Sequence, residues 1–106
     1  MRLLVKARRD LIGIADWYES QRPGLGLKFL LAFRSEVSGL RRLPELHEVV
    51  GLNTRRFRLR RFPSFVFYQV EPDGIVVSGL IHERRDRRTW GDLVLEYHPI
   101  HADIVA

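Results

Sequence analysis

Arg55-Arg56-Phe57-Arg58-Leu59-Arg60-Arg61-Phe62-Pro63-Ser64-Phe65-Val66-Phe67-Tyr68-Gln69-Val70-Glu71 reads as two strands joined at Pro63-Ser64. Side chains alternate across a strand, so Arg56, Arg58 and Arg60 are predicted on one face and Phe57, Leu59 and Arg61 on the other. The stretch from Phe65 to Glu71 is apolar on nearly both faces, which predicts the most buried strand. Glu71-Pro72-Asp73-Gly74 has the proline and glycine placement of a tight turn, and Ile75 to His82 supplies a third strand. Connections this short imply an antiparallel meander.

Upstream of the meander the period changes. Leu3 to Val5 predict a short strand. From Ala7 the apolar residues Leu11, Ile14, Ala15 and Tyr18 recur at helical spacing, up to about Ser20 or Gln21. Gln21-Arg22-Pro23-Gly24-Leu25-Gly26 is rich in helix breakers, and a second helix is predicted from Gly24 to Leu27 onward, as far as about Leu43. Its apolar positions Leu27, Leu30, Leu31, Val37 and Leu40, with Phe29 and Phe33 beside them, form a wide stripe, and Pro44 is its terminator. Two helices joined by a short link make a hairpin that must bury its apolar face on something else. The predicted class is therefore α+β: an N-terminal short strand and an antiparallel two-helix hairpin packed on a small, mainly antiparallel sheet. Phe65 and Phe67 are expected in the core of that packing, not as a platform for stacked bases. Residues 1–91 form one domain. Residues 92–106 read as an acidic, apolar C-terminal extension packed on it; the readings open for it are a strand or helix across the basic region, ordinary packing, or a frayed terminus.

A chain of 106 residues has the length of one domain that needs no metal or disulfide staple. The absence of cysteine removes thiol catalysis and thiolate metal sites, and fits a reducing compartment. The opening apolar run is too short for a signal peptide and no later run reaches membrane-spanning length, so a soluble cytoplasmic protein is expected. The net charge of +5 is uneven: Asp92, Glu96 and Asp103 give the last fifteen residues −3, leaving +8 on residues 1–91. Such a field favours acidic partners, whether nucleic acid or protein. His98-Pro99-Ile100-His101 has no further ligands near it and Gly24-Leu25-Gly26 lacks the rest of a dinucleotide fingerprint, so neither metal nor cofactor is expected.

His82-Glu83-Arg84 at a strand end beside arginines is the one constellation with catalytic character. RNA cleavage needs a base for the 2′-hydroxyl, cations on the phosphoryl oxygens and an acid for the leaving oxygen. His82 or Glu83 would be the base and Arg58, Arg60 and Arg84 the cations. The nearest residue in the acid's place is Trp90, whose indole cannot serve as a general acid.

Ala7-Arg8-Arg9-Asp10-Leu11 with Trp17-Tyr18, then Arg22-Pro23-Gly24-Leu25-Gly26 with Phe29, then Leu43-Pro44, Phe62-Pro63-Ser64-Phe65-Val66-Phe67-Tyr68 and Ile81-His82-Glu83-Arg84-Arg85-Asp86 with Trp90 follow one another across most of the chain. In that order and spacing they resemble the RelE/ParE superfamily of toxins from bacterial type II toxin–antitoxin operons. The resemblance implies a toxin neutralised in a hetero-oligomer by a cognate antitoxin, whose acidic or amphipathic C-terminal segment wraps it. It implies either DNA gyrase poisoning, in the ParE-like branch, or ribosome-dependent mRNA cleavage, in the RelE-like branch. Phe65 stands where the nuclease branch usually has a basic residue, and the Pro63 hairpin with His82-Glu83-Arg84-Arg85-Asp86 is more similar to the ParE-like branch. The expectation is thus a gyrase-directed binder and not an enzyme, with Arg84, Arg85, Arg87, Arg88 and Trp90 contacting the target. Trp17, Tyr18, Arg56, Arg58 and Arg60 are expected to contact the antitoxin. The alternatives are an mRNA endoribonuclease using His82, Glu83, Arg58, Arg60 and Arg84, and a partner without toxicity in a repressor complex.

Overall fold

The computed structural model describes residues 1–51 and 53–86. Strand β1 (Arg2–Leu3) leads into helix α1 (Val5–Gln21), and helix α2 (Leu25–Gly39) packs back on it. Strands β2 (Val49–Gly51), β3 (Thr54–Arg58), β4 (Ser64–Glu71) and β5 (Gly74–His82) complete one sheet in the order β1-β5-β4-β3-β2. From β2 to β5 the pairing is antiparallel, and β1 alone runs parallel, with Arg2 opposite Val76 and Leu3 opposite Val77. The α+β arrangement of a helix hairpin on a mainly antiparallel sheet is the one expected from the sequence.

Helix α1 starts at Val5 directly after the last bond of β1 to the sheet: Leu4 donates its N–H to Val77 at 3.0 Å and occupies the cap position. Ala7, Leu11, Ile14, Ala15 and Tyr18 are its buried face. Asp10 ties it to the sheet, its Oδ2 accepting the Leu80 N–H at 3.1 Å further along β5. Glu19 turns the corner, accepting N–H bonds from Gly24 and Gly26 at 3.0–3.1 Å, so a carboxylate sits at the positive end of α2.

Helix α2 departs from the sequence reading in length and in phase. It ends at Gly39, four residues before Leu43, in tightened turns where Leu40 donates to Val37 and Arg41 to Ser38. Gly39 is a poor helix former, and the turn carries Leu40 into the core. The buried face is Gly26, Phe29, Phe33 and Val37, whereas Leu27 and Leu31 are 60% and 56% exposed. Helix contact sets this rotation: a Cβ at position 26 would lie 2.6 Å from the Ala15 carbonyl oxygen, so only glycine can face α1 there.

The main core lies between the helices and one face of the sheet, where Ile14, Tyr18, Phe29, Phe33, Val66, Tyr68, Val77 and Leu80 meet. Phe67 and Ile81 lie in a second cluster with Val50 and Phe65. Register puts Arg56 opposite Phe67, Arg58 opposite Phe65 and Phe65 opposite Ile81, so this cluster occupies the face turned away from the helices. Phe65 and Phe67 are packed as expected, but not against the hairpin. The most buried strand is β5 and not β4, because α1 lies on β5. Strand β3 stops at Arg58, short of the predicted Phe62, and the chain turns through Arg60 and Arg61, with Leu59 bonding across to Ser64 at 2.9 Å. Strand β2 had no signal in the sequence beyond Val49-Val50.

Candidate functional site

Beyond the end of β5 the chain makes a tight basic turn from Glu83 to Asp86, and His82 is its anchor. Ser64 pairs with His82 in register, and strand parity turns the imidazole toward the helix layer, where it is 1% exposed. Trp17 lies over the ring at 4.7 Å between centroids, and Tyr18 meets it edge-on at 5.1 Å. Its Nδ1 accepts two backbone N–H bonds, from Arg84 and Arg85, each at 3.1 Å. A nitrogen receiving two donors cannot carry a hydrogen, so the neutral ring is protonated at Nε2, a tautomer assigned from the bonding pattern. Nε2–H donates to the Tyr18 hydroxyl oxygen at 2.5 Å.

Burial favours the uncharged form of both partners. It lowers the His82 pKa below the ordinary 6.5, against the opposing pull of Asp86 and Glu83. It pushes the Tyr18 hydroxyl up to about 12, although Arg84 and Arg58 oppose it. Neither ring nitrogen of His82 has a lone pair available to a substrate. The ring thus holds the turn and α1 together through both of its nitrogens.

Every backbone N–H of the turn has a partner. Glu83 donates to Pro63 at 2.9 Å, Arg84 and Arg85 to His82 Nδ1, and Asp86 to the His82 carbonyl at 2.9 Å. Asp86 returns the bond, its Oδ2 accepting the His82 N–H at 2.7 Å, while its Oδ1 pairs with Arg85 Nη1 at 3.0 Å. Glu83 is held by Arg58 at 3.0 Å. The carboxylate considered as an alternative base thus takes part in an exposed ion pair.

The arginines of the hairpin, which the sequence sets on one face, divide. Arg56 and Arg58 share the face turned from the helices; Arg56 pairs with Glu48 at 3.1 Å and lies over the Phe65 ring at 5.3 Å. Arg60 lies past the end of β3, its backbone N–H bonded to Glu36 of α2 at 3.0 Å. Of the nuclease set, Arg58, Glu83 and Arg84 gather near one another, His82 is sealed beneath them and Arg60 belongs elsewhere. Tyr18, expected as an antitoxin contact, is 7% exposed, and Trp17 is half-buried against His82. Arg84 and Arg85 are exposed. Arg87, Arg88, Trp90, His98, His101 and the extension 92–106 lie outside the described residues. Among the described residues no three histidine or acidic side chains gather as a metal site.

A second feature had only a weak sequence signal. A trough of about 580 Å³ runs beside α2 past Leu31, Ala32 and Phe62, with Lys28, Arg60 and Arg61 on its rim. Sharing Ser35, Glu36 and Arg60, it continues into a cleft of about 450 Å³ lined by Leu40, Leu43, Leu46 and Phe57, with Arg42 and Arg58 beside them. Leu31, Leu43 and Leu46 are each more than half exposed. An apolar floor with a cationic rim fits an amphipathic segment with acidic flanks. Leu31, on the exposed side of the α2 stripe, was its trace in the sequence.

Residues 1–87 match the family model for the ParE toxin of the type II toxin–antitoxin system parDE. Among solved structures the chain is similar to one from the chromosomal ParDE toxin–antitoxin system of P. aeruginosa, with a TM-score of 0.68 and 21% identity over 76% of this chain and 91% of that one. No curated protein sequence matches. No helix among the described residues is long and apolar enough to cross a membrane.

Proposed function

The chain belongs to the ParE toxin family of type II toxin–antitoxin systems, and from that premise we propose that it acts in the cytoplasm by binding DNA gyrase and is held inactive by a cognate antitoxin. The observation that carries the non-enzymatic reading is the bonding of His82. Its Nδ1 accepts two backbone donors and its Nε2–H is given to Tyr18, which supports a holding role over proton abstraction for this residue. Glu83, the other candidate, is paired with Arg58. What is left at the end of β5 is an exposed cationic turn, suited to engaging an acidic surface or a nucleic-acid backbone held by the target. Arg84 and Arg85 are the described residues for that contact, with Arg87, Arg88 and Trp90 following them in sequence. The antitoxin, in this reading, lays an acidic amphipathic segment along α2, in contact with Leu31 and Arg60.

Purified protein titrated into gyrase with plasmid DNA tests the assignment. The expected result is loss of supercoiling or accumulation of cleaved plasmid, weakened by Arg84→Ala. Unchanged supercoiling across a wide dose range, with transcripts cut on translating ribosomes, would replace it by the mRNA endonuclease reading.

A further inference from the structure

We propose that Gly13 is a seat for the Arg85 guanidinium, and that Arg85 is a positioning residue that clamps the basic turn onto α1 so that Arg84 meets the target in one orientation. The inference rests on the target-binding reading above and deepens it, giving Arg85 the orientation of the turn in addition to its place on the contact surface.

Gly13 is a glycine in the middle of α1, where alanine would favour the helix and no turn demands conformational freedom. A Cβ there would fall 2.6 Å from Arg85 Nη2 and 3.3 Å from its Cζ. The guanidinium therefore lies against the helix in the space a side chain would take. Its Nη1 reaches Asp86 Oδ1 at 3.0 Å, and Asp86 Oδ2 takes the His82 N–H at 2.7 Å. The closed ring from His82 to Asp86 is thereby brought, through one side chain, into contact distance of a helix 72 positions earlier in the chain. The same turn is pinned from below by His82 Nδ1, which holds the Arg84 and Arg85 amides. Arg84 and Arg85 are both exposed, and the Arg85 guanidinium lies beside Gly13 while its Nη1 bonds Asp86.

A binding interface benefits from such a clamp because ordering a mobile loop at the moment of contact weakens association. Lysine cannot substitute, since a point charge on a flexible stem neither lies flat on the helix nor forms the same fork.

Four proteins test this: Gly13→Ala, Arg85→Ala, Arg85→Lys and the Gly13→Ala/Arg85→Ala double variant. In amide exchange, Gly13→Ala should speed the Arg84 and Arg85 amides by about tenfold while its melting temperature does not fall, because the helix itself gains. Gyrase inhibition should weaken by about tenfold in all four, with Arg85→Lys no better than Arg85→Ala and the double variant no worse than Arg85→Ala alone. Wild-type exchange in Gly13→Ala, full potency in Arg85→Lys or additive losses in the double variant would each overturn the proposal. A wild-type protein with no effect on gyrase would sink the functional reading instead, and the exchange rates alone would then decide the seat.

Discussion

His82 makes the stability of the molecule depend on pH in a direction that its bonding dictates. Its folded pKa is depressed below 6.5 by burial, so the unfolded chain binds a proton first as the pH falls. The stability it contributes is fully present above pH 6.5 and is lost progressively as the pH drops from there toward the folded value. Protonating Nδ1 would also expel the Arg84 and Arg85 amides from their acceptor. Urea denaturation at pH 7.5 and 5.5 should therefore show a drop in the wild type that is shallower in His82→Gln. At pH 7.5 the variant should be less stable by about 1–3 kcal/mol, the cost of leaving buried donors without partners. An equal pH slope in the two proteins would remove His82 from this role.

The second helix has two faces with opposite expectations. Phe33 is 3% exposed within the core, and Phe33→Ala should cost about 3–5 kcal/mol in thermal or chemical denaturation. Leu31, 56% exposed beside the trough, should tolerate Leu31→Glu within about 0.5 kcal/mol. If α2 is where the antitoxin docks, that same change should weaken the toxin–antitoxin complex by about tenfold or more in calorimetry, because a carboxylate would be buried among apolar contacts. Undiminished affinity in Leu31→Glu would move the antitoxin off this face. The amphipathic stripe read from the sequence identified the helix and drew its buried side too wide, taking in Leu27 and Leu31 beside Phe29, Phe33, Val37 and Leu40, since the aromatic and leucine positions both satisfy helical spacing. Packing of Gly26 on the Ala15 carbonyl, invisible to periodicity, chose between them.

For the molecule as a whole, a charge of +8 on residues 1–91 acts over distances longer than any single contact. Association with an acidic antitoxin should slow markedly when salt is raised from about 50 to 500 mM, with dissociation much less affected, as stopped-flow mixing would report. A salt-independent association rate would assign recognition to the apolar trough alone. What the sequence by itself determined was the kind and order of the elements: the breakers at Pro23-Gly24, the alternation through Phe57 and Leu59, and the turn at Pro72-Gly74 are local signals with local causes. It also marked the end of β5, where His82 to Asp86 stand together. Only the tertiary structure decided which way those residues face and what they can do. His82 is sealed against Tyr18 across 64 positions, Arg85 lies on Gly13 across 72, and Arg60 leaves the company of Arg56 because β3 ends at Arg58, four residues short of the predicted Phe62. Such pairings have no period and no spacing rule. They arise from strand parity and from helices settling on a sheet, which bring distant side chains into one small volume, as they bring Trp17 and Tyr18 onto the His82 ring.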